Sequence, residues 1–200
     1  MVNPFLVGQR VYLRPFQRAD APVLVRFMND PAVRRALLLE RPITLEEEEE
    51  FLVRLGGNKE MVLLGVVARD GDRLVGSIGL SAIQPSSRQA QFGIFIGAPE
   101  EWGKGYGTEA TELMVGYGFE ALNLNRIRLH VFEDNPRAIR VYEKIGFARE
   151  GRYLDEVSMA VLQEEWRRGH PRPQQDAKLA CRTFWHTGLE REIARGAVGE

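Results

Sequence analysis

Between Trp102 and Thr108 the chain reads Trp-Gly-Lys-Gly-Tyr-Gly-Thr, with three glycines at alternate positions and a lysine among them. Glycine carries no Cβ, so successive N–H groups in such a stretch can turn toward one point and approach a ligand closely. A helix opening behind the stretch adds roughly half a positive charge at its N-terminus. The chemistry these residues suit is the holding of phosphate. A Gly-rich turn that binds nothing has the same composition, so the flanking segments decide between the two.

Those flanks have the right form. Phe92-Gly93-Ile94-Phe95-Ile96 is short, aromatic and β-branched, and Gly97 and Pro99 bound it, as expected of a buried strand. From Thr108 onward Ala110, Leu113, Met114, Tyr117 and Ala121 recur at spacings of three and four, one face of a helix packed on a core. A nucleotide triphosphatase loop places its lysine directly before the closing Ser or Thr, whereas here Gly107 precedes Thr108 and Lys104 lies too early. Gly105-Tyr106-Gly107-Thr108-Glu109-Ala110 does match the dinucleotide fingerprint G-x-G-x-x-A, with Glu133 after the next strand as a ribose-binding acid. Two features oppose an NAD-binding oxidoreductase: Gly97 to Lys104 separate strand from helix, and βα units do not alternate along the chain.

A second segment is punctuated as clearly. Arg126 to Phe132 alternates polar and apolar residues, a strand with Ile127, Leu129 and Val131 on one face. Asn135-Pro136 reads as an N-cap followed by proline at the first helical position, where its missing N–H costs nothing. Ala138, Val141, Tyr142 and Ile145 form the apolar face of the helix, Gly146 is its left-handed stop, and Phe147 opens another extended segment. By position alone Tyr142 is a core tyrosine. Its phenol, with an ordinary pKa of about 10, stays protonated at neutral pH and can also serve as an acid.

Trp102 to Ala110, then Asn135-Pro136-Arg137-Ala138, then Tyr142-Glu143-Lys144-Ile145-Gly146-Phe147, together resemble the GNAT acyl-CoA N-acyltransferases. The likeness is greatest to the branch that includes ribosomal-protein N-terminal acetyltransferases and polyamine acetyltransferases. It runs over about residues 8 to 165 and is densest from Phe92 to Phe147. It implies an α/β fold: a mixed, strongly twisted sheet, split into a V, flanked by helices, with acetyl-CoA in the gap. In that fold Ile94, Phe95 and Ile96 would offer backbone groups to the pantetheine arm, in the manner of strand addition. Trp102, Gly103, Lys104, Gly105, Tyr106, Gly107 and Thr108 would hold the pyrophosphate. The resemblance gives Asn135 a hydrogen bond to the cofactor besides its cap, and makes Tyr142 the donor of a proton to the departing thiolate. Many relatives begin the loop with Gln or Arg; Trp102 is common in the ribosomal branch.

The activity implied is direct attack of a primary amine, from a protein N-terminus, a polyamine or another small molecule, on the thioester of acetyl-CoA. An alkylammonium of pKa about 10.4 must first lose a proton, at a cost of roughly 4 to 5 kcal/mol at pH 7. Several relatives carry a Glu on the strand before the glycine loop; this chain has Gln91, and no acid follows before Gly97. Glu40 is the candidate base, because it closes the Ala36-Leu37-Leu38-Leu39 run between the first two helices, a region that lines the acceptor site in relatives. A solvated loop glutamate has the same signature. His130, off the apolar face of its strand, is a second candidate. The missing strand Glu also leaves open a noncatalytic acyl-CoA sensor or interaction module.

Composition restricts the alternatives. The 200 residues are 44% hydrophobic, enough for one domain with a full core. Lys and Arg number 27 against 28 Asp and Glu, a formal net charge of -1, which gives no broad electrostatic case for nucleic acid or an anionic membrane. Cys181 is the sole cysteine, so no intrachain disulfide forms, and His170 and His186 make no metal-ligand spacing with it. The first residues lack the pattern of a signal peptide, and the longest apolar run, Met61 to Ala68, is too short to span a bilayer. The expectation is a cytoplasmic protein.

The N-terminal half organises more than it reacts. Val11 to Arg14 reads as the first strand, Asp20 as the cap of a helix with Val23, Leu24 and Phe27 inward, and Thr44 with Glu47 as a capping box. The acidic run Glu46 to Glu50 then lies where the helix dipole favours it, as a solvated face; attraction of a polyamine is the alternative. Leu63 to Arg69 and Leu74 to Ile83 form a hairpin about Asp70-Gly71-Asp72. The acetyltransferase domain is expected over residues 1–166. Residues 167–200 are expected as a linker and an extension, alternating through Leu179, Cys181, Thr183 and Trp185, that packs on the domain or on a second copy in a homodimer.

Overall fold

Val11, Leu13, Val66, Ile78 and Leu80 are fully buried in one core cluster, and their sequence neighbours Tyr12 and Val67, which the pleat directs to the other face, are buried too, so the sheet is covered on both sides there. The coordinates are a computed structural model that describes residues 1–37, 39–153 and 156–170. The strands are β1 Leu6–Val7, β2 Val11–Pro15, β3 Val62–Ala68, β4 Arg73–Gln84, β5 Gln89–Ile96, β6 Arg126–Phe132, β7 Ala148–Tyr153 and β8 Glu156–Leu162. The helices are α1 Ala21–Asn29, α2 Pro31–Leu37, α3 Leu45–Leu55, α4 Tyr106–Glu120, α5 Pro136–Ile145 and α6 Gln163–Gly169.

The eight strands of the described residues lie in one sheet, in the order β1-β2-β3-β4-β5-β6-β8-β7. Every pairing is antiparallel except β5 with β6. A dinucleotide-binding fold requires a run of parallel strands joined by helices, so the oxidoreductase alternative fails on topology. The parallel pair is brief: Gln89, Ala90 and Gln91 face Arg126, Ile127 and Arg128, and the two strands then part. Beyond Gln91, β5 keeps only β4, with registers from Leu80↔Phe92 to Gly76↔Ile96, while β6 turns to β8. The V expected of the sheet is this divergence.

Helix α4 packs against β2, β4 and β5 and buries Ala110, Met114, Val115 and Phe119, while α1 packs against α2 and α3. Each large apolar side chain removed from water in this core contributes about 1.5 to 3 kcal/mol. The caps at Thr44 and Asn135 form as expected: Thr44 Oγ1 accepts from the Glu47 N–H at 3.2 Å, and Asn135 Oδ1 accepts from the Ala138 N–H at 3.1 Å. Asp20 does not cap α1. Its carboxylate is taken by Arg14 at 2.7 and 2.8 Å and by the Gln17 N–H, so the acid closes the turn before the helix instead. The helix α6 also reaches Gly169, into the stretch expected as linker from Arg167. Contacts divide the chain after Trp166, and of the linker and extension expected over residues 167–200 all beyond His170 lies outside the described residues. No helix among the described residues is long and apolar enough to cross a membrane.

Candidate active site

The parting of β5 from β6 opens a cleft of about 880 Å³. Its walls include Ile94, Phe95 and Ile96 on one arm and Leu129, His130 and Val131 on the other. Trp102, Gly103, Gly105, Tyr106, Gly107 and Thr108 stand at one end, and Asn135 and Tyr142 line the same cleft from the α5 side. Residues from distant parts of the sequence thus meet as expected. Lys104 and Glu40 do not line it. Glu40 is solvent-exposed.

The glycine loop is held open by its backbone conformation. Gly103 and Gly105 both have φ of 84°, a left-handed setting that costs an L side chain roughly 1 to 2 kcal/mol. Gly105 is also the N-cap of α4, so the turn presents unpaired N–H groups and the positive end of a fifteen-residue helix together. A methyl group on Gly105 would stand 2.6 Å from Arg10 Nη1, which itself donates to the Lys104 carbonyl at 3.0 Å. Trp102 Nε1 donates to the Ile96 carbonyl at 2.7 Å, which ties the loop to the end of β5. Glu101, only 4% exposed, pairs with Lys104 at 2.8 Å and with Arg73, and these partners hold its carboxyl below the usual range, Lys104 foremost. The lysine that sequence reasoning placed on a phosphate is therefore already engaged. Arg137, whose guanidinium lies 5.5 Å from the centre of the Trp102 ring, supplies a further cation beside the loop.

Gly-rich backbone, a helix N-terminus and two nearby cations fit the pyrophosphate of a CoA ester. The unpaired edge of β5 from Phe92 to Ile96 fits the amide-bearing pantetheine arm. Tyr142 is 8% exposed, between Phe92 and Phe147, with ring centres 6.1 and 5.8 Å away. Burial pushes its phenol up to about 12. It is protonated throughout the physiological range.

The other end of the cleft is apolar. Leu24 and Met28 of α1, Val33 of α2, Phe51 of α3, and Met61 and Leu63 beside β4 form its walls. Among them lies Glu48, 7% exposed, whose carboxyl is pushed above its usual value by desolvation. Sequence reasoning missed Glu48 because it sits inside a run of five acids that all satisfy the helix dipole. The available signal was its spacing: Glu48 and Phe51 are three apart and so share a face of α3. His130 lines the cleft too, with Nδ1 3.8 Å from a Glu156 carboxylate oxygen.

A split mixed sheet with a glycine loop at the mouth of the gap defines an acyl-CoA-binding transferase fold. Residues 10–148 match the profile of the acetyltransferase (GNAT) domain, and the chain belongs to that family. It is an acetyl-CoA-dependent acetyltransferase. It is 32% identical over 175 residues to the spermidine N(1)-acetyltransferase of Escherichia coli strain K12, an alignment that covers 82% of this chain and 92% of that protein. The spermidine N-acetyltransferase of Vibrio cholerae, solved in complex with CoA and spermine, has a TM-score of 0.73 and 29% identity over 80% of this chain and 99% of that one. A dodecameric structure of the Vibrio cholerae enzyme in an intermediate state has a TM-score of 0.68 and 27% identity over 80% and 97%.

Proposed function

We propose that the protein transfers the acetyl group of acetyl-CoA to a primary amine, on a protein N-terminus, a polyamine or another small molecule, by direct attack in a ternary complex. The observation that carries this reading is the divergence of β5 and β6, with the glycine loop at one end and Tyr142 buried between them. Trp102, Gly103, Gly105, Tyr106, Gly107 and Thr108 enclose the pyrophosphate, with Lys104 and Arg137 as neighbouring charges. Asn135 serves the cofactor while capping α5. The backbone from Ile94 to Ile96 receives the pantetheine arm and polarises the thioester carbonyl.

The amine lone pair attacks the carbonyl carbon, the C–N bond forms, and collapse of the intermediate breaks C–S with the electron pair leaving on sulfur. Tyr142 donates a hydrogen bond to that sulfur. Complete transfer of its proton would be uphill, because a phenol near 12 is a weaker acid than a thiol near 8.5, by roughly 3 to 4 pKa units. The proton that finishes on sulfur comes from the nitrogen of the intermediate, which is far more acidic. Glu40, exposed and outside the cleft, is displaced as the base by Glu48, which lies within it. A homo-oligomeric assembly and a cytoplasmic location belong to the same proposal, supported by the dodecameric relative and by the lone cysteine.

Calorimetric titration with acetyl-CoA, with NADH as control, followed by thiol-release assays over a panel of amines, tests this reading. Acetyl-CoA binding with thiol release by an amine supports it. Binding without release by any amine favours the acyl-CoA sensor, and absence of binding overturns the donor assignment.

A further inference from the structure

The five consecutive acids of α3 have different fates. Glu47 is occupied by Arg41 at 2.8 Å and by the Thr44 cap, and Glu49 by Arg18 at 2.5 Å, while Glu46 and Glu50 are solvent-exposed. Of the five, Glu48 alone is buried, it lines the cleft, and among the described residues its carboxylate has no hydrogen-bond or ion-pair partner. Of the other two carboxylates on the cleft, Glu101 is committed to Arg73 and Lys104 at the glycine loop, and Glu156 lies away from α3, at the start of β8, 3.8 Å from His130. The wall around Glu48, from α1, α2, β3 and β4, carries no titratable side chain among the described lining residues.

A carboxylate in such a wall is costly to ionise, and the cost is offset when a cation meets it in close contact. The part of the cleft walled by α1, α2, α3 and β3 has Glu48 as its one charged side chain among the described lining residues, and the wall around it is largely apolar, with Ser77 and Ser81 of β4 as its neutral polar groups. Each additional ammonium of a polyamine lodged in that part of the cleft would meet a largely apolar wall with no second counter-charge. We infer that the acceptor is an amphiphilic monoamine, an alkylamine or arylalkylamine whose single ammonium meets Glu48 and whose apolar body fills the chamber between α1, α3 and β3. The inference rests on the N-acetyltransferase reading above. Glu48 accepts one proton from the ammonium, the freed lone pair forms the C–N bond, and the second nitrogen proton passes to the departing sulfur. The products are the neutral amide and the CoA thiol, and Glu48 returns its proton to water.

The test uses the full chain with acetyl-CoA and compares phenethylamine and hexylamine with putrescine, spermidine and spermine by thiol release. The expected kcat/KM for the two monoamines exceeds that for spermidine by at least about tenfold. Glu48→Gln lowers the monoamine kcat/KM by about thirtyfold or more, within the range removed with a general base, and leaves the calorimetric acetyl-CoA Kd within about twofold, which also reports that the variant is folded. Met61→Glu, which adds a second carboxylate to the chamber, moves the preference toward putrescine. Equal or better turnover of spermidine overturns the inference, as does Glu48→Gln with near-normal monoamine kcat/KM, or an unchanged preference in Met61→Glu. Failure of acetyl-CoA to bind, or binding with no amine turned over, overturns the transferase reading and this inference with it; binding with a polyamine preference overturns this inference alone.

Discussion

The two ends of the cleft are built from different materials. At the donor end nearly every polar group is tied: Arg10 to the Lys104 carbonyl, Trp102 to the Ile96 carbonyl, Glu101 to Lys104 and Arg73. What remains for the ligand is backbone, fixed by left-handed glycines and the start of α4. At the acceptor end the walls are side chains from α1, α2, α3 and β3, and the carboxylate among them is untied. A ligand common to a family can be bound by backbone geometry that tolerates much sequence change. A ligand that distinguishes one member must be read by side chains, and those are what vary.

Tyr142 lies where the two ends meet, and its replacement is the strongest way to separate them. Tyr142→Phe keeps the ring between Phe92 and Phe147 but removes the hydroxyl that donates to the developing charge on sulfur, so kcat is expected to fall about 100-fold. The acetyl-CoA Kd measured by calorimetry should change less than twofold. An unchanged kcat would reduce Tyr142 to a packing residue and leave the leaving group to solvent.

Gly105→Ala should do the reverse. The new Cβ meets Arg10 Nη1, the guanidinium must swing away, and the φ of 84° becomes strained. A loss of about 1 to 2 kcal/mol in loop geometry weakens acetyl-CoA roughly tenfold while the KM for the amine is unaffected. If the amine KM moved with it, the two ends would not be independent. Asn135→Ala is smaller. Losing the bond to the Ala138 N–H costs about 1 kcal/mol and lowers Tm by about 2 to 4 °C. A further weakening of acetyl-CoA, seen in the same calorimetry, would separate cofactor contact from capping.

The same division explains what could be read without coordinates. The β5 strand, the loop, α4, the β6 strand and both α5 caps follow from local signals: alternation, glycine spacing, a proline at the first helical position. The donor end is made of these consecutive pieces, so it was legible. Glu48 was not, because its burial depends on α3 packing against α1, and its place in the cleft on Met61 and Leu63 lining the same space, relations between segments apart in sequence. Asp20 failed for a related reason. A cap and a bidentate partner for Arg14 compete for one carboxylate, and only the tertiary position of Arg14 shows that the guanidinium wins.

The smallest effect discriminates most sharply, because it concerns the chamber when no amine is present. Burial raises the folded-state pKa of Glu48 above its ordinary value of 4.5, so over the interval between the two the folded protein retains a proton that the unfolded chain has released. Stability therefore falls as pH rises through that interval, and the whole penalty is present above it. Glu48→Gln, which carries no charge to bury, should melt higher than the parent at pH 7, by roughly 2 °C, and the difference should vanish near pH 4. Saturating hexylamine should narrow the gap at pH 7 by stabilising only the parent, since a bound ammonium restores the value of the charge. A parent that melts higher than Glu48→Gln at pH 7 without any amine would mean that the carboxylate already has a cation, and the chamber would then be a finished core rather than a site kept unpaired for its substrate.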